Sequence, residues 1–202
     1  MYIPSYFRNE NHDDLLAFMR AHPLAVICSN GPEAPQATHL PFIVREEEKK
    51  IILVSHFAKA NPHAAMLQKT GQVIVIFSGR DAYISPSHYE KKENVPTWNY
   101  IAVHATGTIR FLNSEEEKSG ILQETIMNFD PGYKKQWDNL PSEYISGMMK
   151  GISAFEIEVT TLEGKFKLSQ NKTTSEQAKI ADDPEMPAEL SAYMKKNNES
   201  PK

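Results

Sequence analysis

The apolar runs of this chain are short, rich in β-branched residues and separated by turn formers, and no regular strand–helix–strand spacing links them. Leu24–Ser29, residues 36–44 and residues 51–56 follow one another with only the turn-rich segment 30–35 and the charged reversal 46–50 between them. Such close succession reads as an antiparallel meander. Further on, 73–77 is a compact strand, and 82–85 is a second one after a Gly79-Arg80-Asp81 turn. Residues 101–112 form a longer strand in which Gly107 suits a bulge or tight bend. Residues 152–160 alternate, and 162–168 are expected to return beside them through a Glu163-Gly164 turn. Strands of this kind with short helices between them fit an α+β barrel better than a parallel sheet.

The helical segments carry their own start signals. Residues 11–21 open on Asn11 and two acids before an apolar face, and His22-Pro23 ends them. Residues 61–69 tolerate Pro62 in a first turn. Ser114 with Glu117 is a capping box for a helix over 115–128, and 134–150 reads as helical with a break near Pro141. Thr174-Ser175-Glu176-Gln177 offers a second box, and 189–196 a last helix before a frayed end at 197–202. The expected organisation is one domain over about residues 1–180 and a helical extension over 181–202.

Composition excludes several classes. Hydrophobic residues are 40% and charged residues 24%, which is ordinary globular material. No run approaches the roughly 18 apolar residues of a membrane helix, and the first residues lack a secretory pattern, so a cytoplasmic location is expected. A net charge of −4 supplies no long-range attraction to DNA, and the pairs Lys91-Lys92, Lys134-Lys135 and Lys195-Lys196 read as solvated surface. The single cysteine, Cys28, lies in a strand and reads as a core thiol. No phosphate-loop, dinucleotide or nucleophile-elbow motif occurs, nor any compact Cys/His metal spacing. Strand histidines His39 and His104 read as packed or hydrogen-bonded structural groups.

Two clusters carry candidate chemistry. In the first, Val54-Ser55-His56-Phe57-Ala58-Lys59-Ala60-Asn61-Pro62, a strand delivers a hydroxyl and an imidazole to a turn. Lys59 then stands just before a helix start, where an ammonium and terminal amides suit an anion. Ordinary capping explains the same residues. In the second, Tyr83 to Tyr89 and Asn94 to Tyr100 bring hydroxyls, amides and aromatics between strands. They suit a planar cofactor, or equally a packed barrel rim or dimer interface.

These clusters, with Met1-Tyr2-Ile3-Pro4, Thr38-His39-Leu40-Pro41-Phe42, Val103-His104-Ala105-Thr106-Gly107 and Lys167-Leu168-Ser169-Gln170-Asn171-Lys172, resemble the PaiB family of FMN-binding negative transcriptional regulators. The resemblance covers about residues 1–180. It implies an FMN-binding split β-barrel of the flavin reductase and pyridoxamine phosphate oxidase kind, antiparallel with peripheral helices, and a homodimer with clefts at its interface. Carried over to this chain, it places Lys59 on the FMN phosphate, helped by Ser55 and the helix start at Asn61. Trp98 and Asn99 would lie along the isoalloxazine, and Gln170 near the outer cofactor region. Ala58 stands where the oxidases carry an arginine. The implied function is repression of sporulation and degradative protease genes through promoter DNA, with no base-reading residue identifiable. A flavin-dependent oxidoreductase and a haem-binding or haem-degrading relative are the alternatives.

Overall fold

The computed structural model describes residues 1–199. In chain order the strands are β1 (Arg8–Asn9), β2 (Leu24–Ser29), β3 (Gln36–Pro41), β4 (Ile43–Glu47), β5 (Lys50–Ala58), β6 (Gln72–Ile84), β7 (Thr97–Leu112) and β8 (Ile152–Lys167). The helices are α1 (His12–Ala21), α2 (Pro62–Thr70), α3 (Glu115–Phe129), α4 (Lys134–Trp137), α5 (Ser142–Lys150), α6 (Thr174–Ala181) and α7 (Ala188–Glu199). The strands join one sheet in the order β3-β2-β6-β7-β8-β5-β4, with β1 added to β8. The chain divides into two compact units.

One unit holds Met19–Phe77 and Ala105–Leu162. The expected strand over 36–44 is broken there at Phe42, whose N–H donates to Pro23 O at 2.8 Å in the register of Leu24 and Pro41. Pro23 has no N–H to return, and the ladder with β2 ends. That break makes β3 and β4, the two ends of the sheet order, consecutive strands joined by a single residue. A sheet whose edges are covalent neighbours must curl back on itself, which is a barrel. Its core is aromatic. Phe42 lies 5.9 Å from Phe77 and 6.1 Å from Phe155, and Phe57 lies 5.0 Å from Phe155, centroid to centroid. A satellite cluster of Ile43, Val54, Leu112, Ile121 and Ala154 fastens α3 to the sheet. At Gly107 a Cβ would meet Glu158 O at 2.3 Å, so the glycine permits close approach of β7 and β8.

The other unit holds Met1–Phe18, Ser78–His104 and Glu163–Lys202. Phe166 packs 5.9 Å from Phe18 and 5.5 Å from Tyr193, joining β8, α1 and α7. The expected turn at Glu163-Gly164 is absent, because β8 runs straight through it. Gly164 pairs with Asn9, and a Cβ there would stand 2.9 Å from Asn9 O and 2.3 Å from Leu15 Cδ2. The glycine admits a neighbouring chain and bends nothing. Likewise, Gly79-Arg80-Asp81 lies inside β6. The box at α6 begins one residue earlier than expected. Thr173 accepts the Glu176 N–H at 3.2 Å, and the Glu176 carboxylate also takes the Glu90 N–H at 3.0 Å, a tertiary tie that fixes the register. Helix α7 continues through 197–199, and the rest of the expected frayed end lies outside the described residues. No helix among the described residues is long and apolar enough to cross a membrane.

Candidate functional site

Strand β5 ends at Ala58, and the turn that follows is closed by the Asn61 N–H donating to Ala58 O at 2.9 Å. The Lys59 N–H donates to Gly151 O at 2.8 Å, which ties the turn to the start of β8. Lys59 itself is exposed, and among the described residues its ammonium forms no ion pair. The amides of the α2 start are spent. Pro62 has none, the His63 N–H donates to Asn61 Oδ1 at 3.0 Å, and the Ala64 N–H to Asn61 O at 3.1 Å. Ser55 is buried and donates its hydroxyl to Pro41 O at 2.7 Å. The strand and cap therefore fix the backbone, and the anion-seeking group they present is the Lys59 ammonium.

The other three predicted site residues belong to the other unit. Trp98 is 52% exposed and stands edge-on to the exposed Tyr83, with ring centroids 5.6 Å apart. Asn99 is fully buried. Its Oδ1 accepts from the Ser169 hydroxyl at 3.0 Å, and its amide reaches Met194 Sδ at 3.6 Å. Gln170 accepts the Leu168 N–H at 2.8 Å and donates to Phe166 O at 2.5 Å, closing a turn in which Ser169 takes φ 63. The Gln170 amide holds the backbone, the Asn99 amide ties side chains together, and Trp98 stays half exposed to solvent.

A flavin nucleotide needs a cation for its phosphate and a flat apolar face for its ring. Lys59 is a residue of the first kind and Trp98 one of the second, each within its own unit. One cation beside Trp98 was not singled out from the sequence. Lys167 donates to Thr97 Oγ1 at 2.5 Å and to Trp98 O, and lies 5.5 Å from the Phe7 ring. Burial, with help from Lys165, holds its ammonium below the usual lysine range. Its place in a strand near aromatics was the available signal, but the contact spans about 70 residues of sequence.

The histidines divide. His63 is buried between two hydroxyls, Ser29 Oγ at 3.0 Å and Thr38 Oγ1 at 2.8 Å, and burial lowers its pKa. His39 is exposed on β3 instead of packed, because the alternation there sends it outward. Among the described residues, no group of three or more His, Cys, Asp or Glu side chains is placed to hold a metal ion. Three lysines of the basic pairs meet carboxylates: Lys134 with Asp138 at 2.5 Å, Lys195 with Asp182 at 2.8 Å and Lys196 with Asp14 at 2.7 Å.

Residues 1–161 match the family model described as "Putative FMN-binding domain". The Bacillus subtilis (strain 168) protein named Protease synthase and sporulation protein PAI 2 is 34% identical over 182 residues, covering 87% of this chain and 85% of that protein. Among solved structures, the flavocytochrome Anf3 from Azotobacter vinelandii aligns with a TM-score of 0.64 at 16% identity, over 82% of this chain and 72% of that one. The FAD and heme binding protein from Mycobacterium smegmatis aligns with the same score and identity, over 85% of this chain and 78% of that one. At such identity the likeness concerns the fold, which is an α+β split β-barrel with peripheral helices.

Proposed function

Because the chain belongs to the PaiB-like, FMN-binding-domain family, we propose that it binds FMN and uses the bound form in negative transcriptional regulation. The observation that carries the flavin reading is Lys59: an exposed, unpaired ammonium on a turn held from both sides by backbone hydrogen bonds. In this reading Lys59 takes the phosphate, and Trp98, on the other unit, is a separate candidate for stacking on a flavin ring. Ser55, Asn61 and Gln170 act as positioning residues through their bonds to the backbone, and Asn99 through its side-chain tie to Ser169. Bound FMN supplies reversible electron transfer, and the protein supplies orientation and shielding.

Titration of the purified chain with FMN, followed by visible absorption and flavin fluorescence, tests this directly. Lys59→Ala should weaken binding at least about tenfold, the scale of a charge-assisted hydrogen bond. Lys59→Arg should retain most of the affinity. Equal FMN affinity in the wild type and Lys59→Ala would remove Lys59 from the site.

The regulatory reading draws on the relative named for protease synthesis and sporulation. It expects a homodimer that represses genes of those kinds through promoter DNA. With a net charge of −4, any DNA contact must come from a local surface, so binding should fall steeply with salt. Binding to its own promoter at physiological salt, with and without FMN, is the measurement. Affinity no better than for random DNA would end the repressor reading and leave the flavin reading intact.

A further inference from the structure

Beside α2 lies a cleft of about 730 Å³, within the range of small-molecule sites. Its lining includes Pro32 and Gln36 from the β2–β3 side and Pro62, His63, Met66 and Lys69 from the helix. Lys59, Ser55 and Asn61 are not among its lining residues. Positions 62, 66 and 69 lie on one face of α2, so the cleft follows the helix for roughly 10 Å at about 1.5 Å per residue. One lining residue, His63, is only 3% exposed and pinned through both ring nitrogens by Ser29 and Thr38. Those hydroxyl partners hold the ring in place, and burial keeps it neutral. Among the described residues no aspartate or glutamate lines the cleft, and Lys69, in the last turn of α2, is its one cation. Among the described residues Lys69 forms no ion pair. Met66 gives the wall an adaptable thioether surface.

An elongated, mainly apolar cleft with a cation at one end and no acid matches an apolar chain that ends in an anion. We propose that this cleft binds medium-chain monocarboxylates, with the chain along Pro62 and Met66 and the carboxylate at Lys69.

The probes are octanoate and its neutral isostere octanamide, titrated into the full chain by calorimetry and saturation-transfer NMR. Octanoate should bind the wild type. Lys69→Gln should weaken octanoate by up to about fivefold, the limit for an exposed ion pair, and leave octanamide unchanged. Met66→Trp, which fills the cleft, should abolish binding of both. The proposal is overturned if octanoate fails to bind at millimolar concentration, or if Met66→Trp binds it as well as the wild type. Displacement of octanoate by FMN would overturn it too, by assigning the cleft to the flavin. Octanoate binding in a protein that takes up no FMN would support the cleft and defeat the flavin reading alone.

Discussion

Tyr89 shows how one side chain can be held and still be imperfectly satisfied. It is 8% exposed, with Lys172 Nζ 3.8 Å from its ring centroid and its hydroxyl without a partner among the described residues. Burial and the Glu176 carboxylate push the phenol pKa up, so the hydroxyl stays neutral. The ring earns its place through packing and the cation–π contact, which Phe would keep. Tyr89→Phe is therefore expected to hold stability or raise it by about 1 kcal/mol, whereas Tyr89→Leu should lose about that much. Denaturant midpoints decide this, and a clear loss in Tyr89→Phe would mean that the hydroxyl is bonded in solution. At this scale the sequence was legible where cause is local. Ser114 and Glu117 form their box because the two groups are three residues apart. Asn61 caps α2 for the same reason. The bond partners of His63 lie 34 and 25 residues away, and the Asn99 contact to Met194 spans 95, distances that no spacing rule encodes.

At the scale of elements, the hairpin between β4 and β5 turns through only Glu48 and Lys49, with Glu47 facing Lys50. Both take positive φ, 48° and 70°, as a two-residue loop matching the strand twist requires. Neither residue favours that region, since a Cβ there crowds the backbone. Replacing them by Glu48→Asn with Lys49→Gly should raise stability by about 1 kcal/mol, read as a higher thermal midpoint. An unchanged or lower midpoint would show that the flanking ladder already compensates the strain. The charged reversal at 46–50 was readable because turn chemistry is local. The uses of Gly79 and Gly164 were not. A glycine in a strand signals either a bend or a close neighbour, and only the approach of Asn9 and Leu15 selects the second for Gly164. The same ambiguity hid the break at Phe42, where the pattern stays apolar and Pro23, which accepts from Phe42 but has no N–H to return, ends the ladder.

Across the whole molecule, the perturbed acids and histidines act in one direction. Burial lowers the pKa of His56, His63 and His104; at His104 the N-terminal ammonium adds to this, and Glu163 partly opposes it. A histidine depressed on folding binds its proton more readily in the unfolded chain. Its contribution is complete above an unfolded pKa of about 6.5 and declines as pH falls below it. The carboxyls of Asp14, Glu117, Glu176 and Asp183 are also lowered. The largest causes are the Lys196 ammonium for Asp14, and backbone N–H donors at Ser114, Glu90 and Glu185 for the other three. They stabilise the fold above an unfolded value of about 4, and lose that effect as pH falls through their folded values. Both sets bind more protons unfolded than folded, so stability must rise with pH through both windows. The thermal midpoint should therefore fall first between about pH 7 and 5, then again below about pH 4.5. His56→Gln should shrink the first decline and leave the second, because it removes one of the buried imidazoles and none of the carboxylates. A midpoint that stays flat from pH 7 to 5 in the wild type would mean that these histidines open to solvent before they titrate.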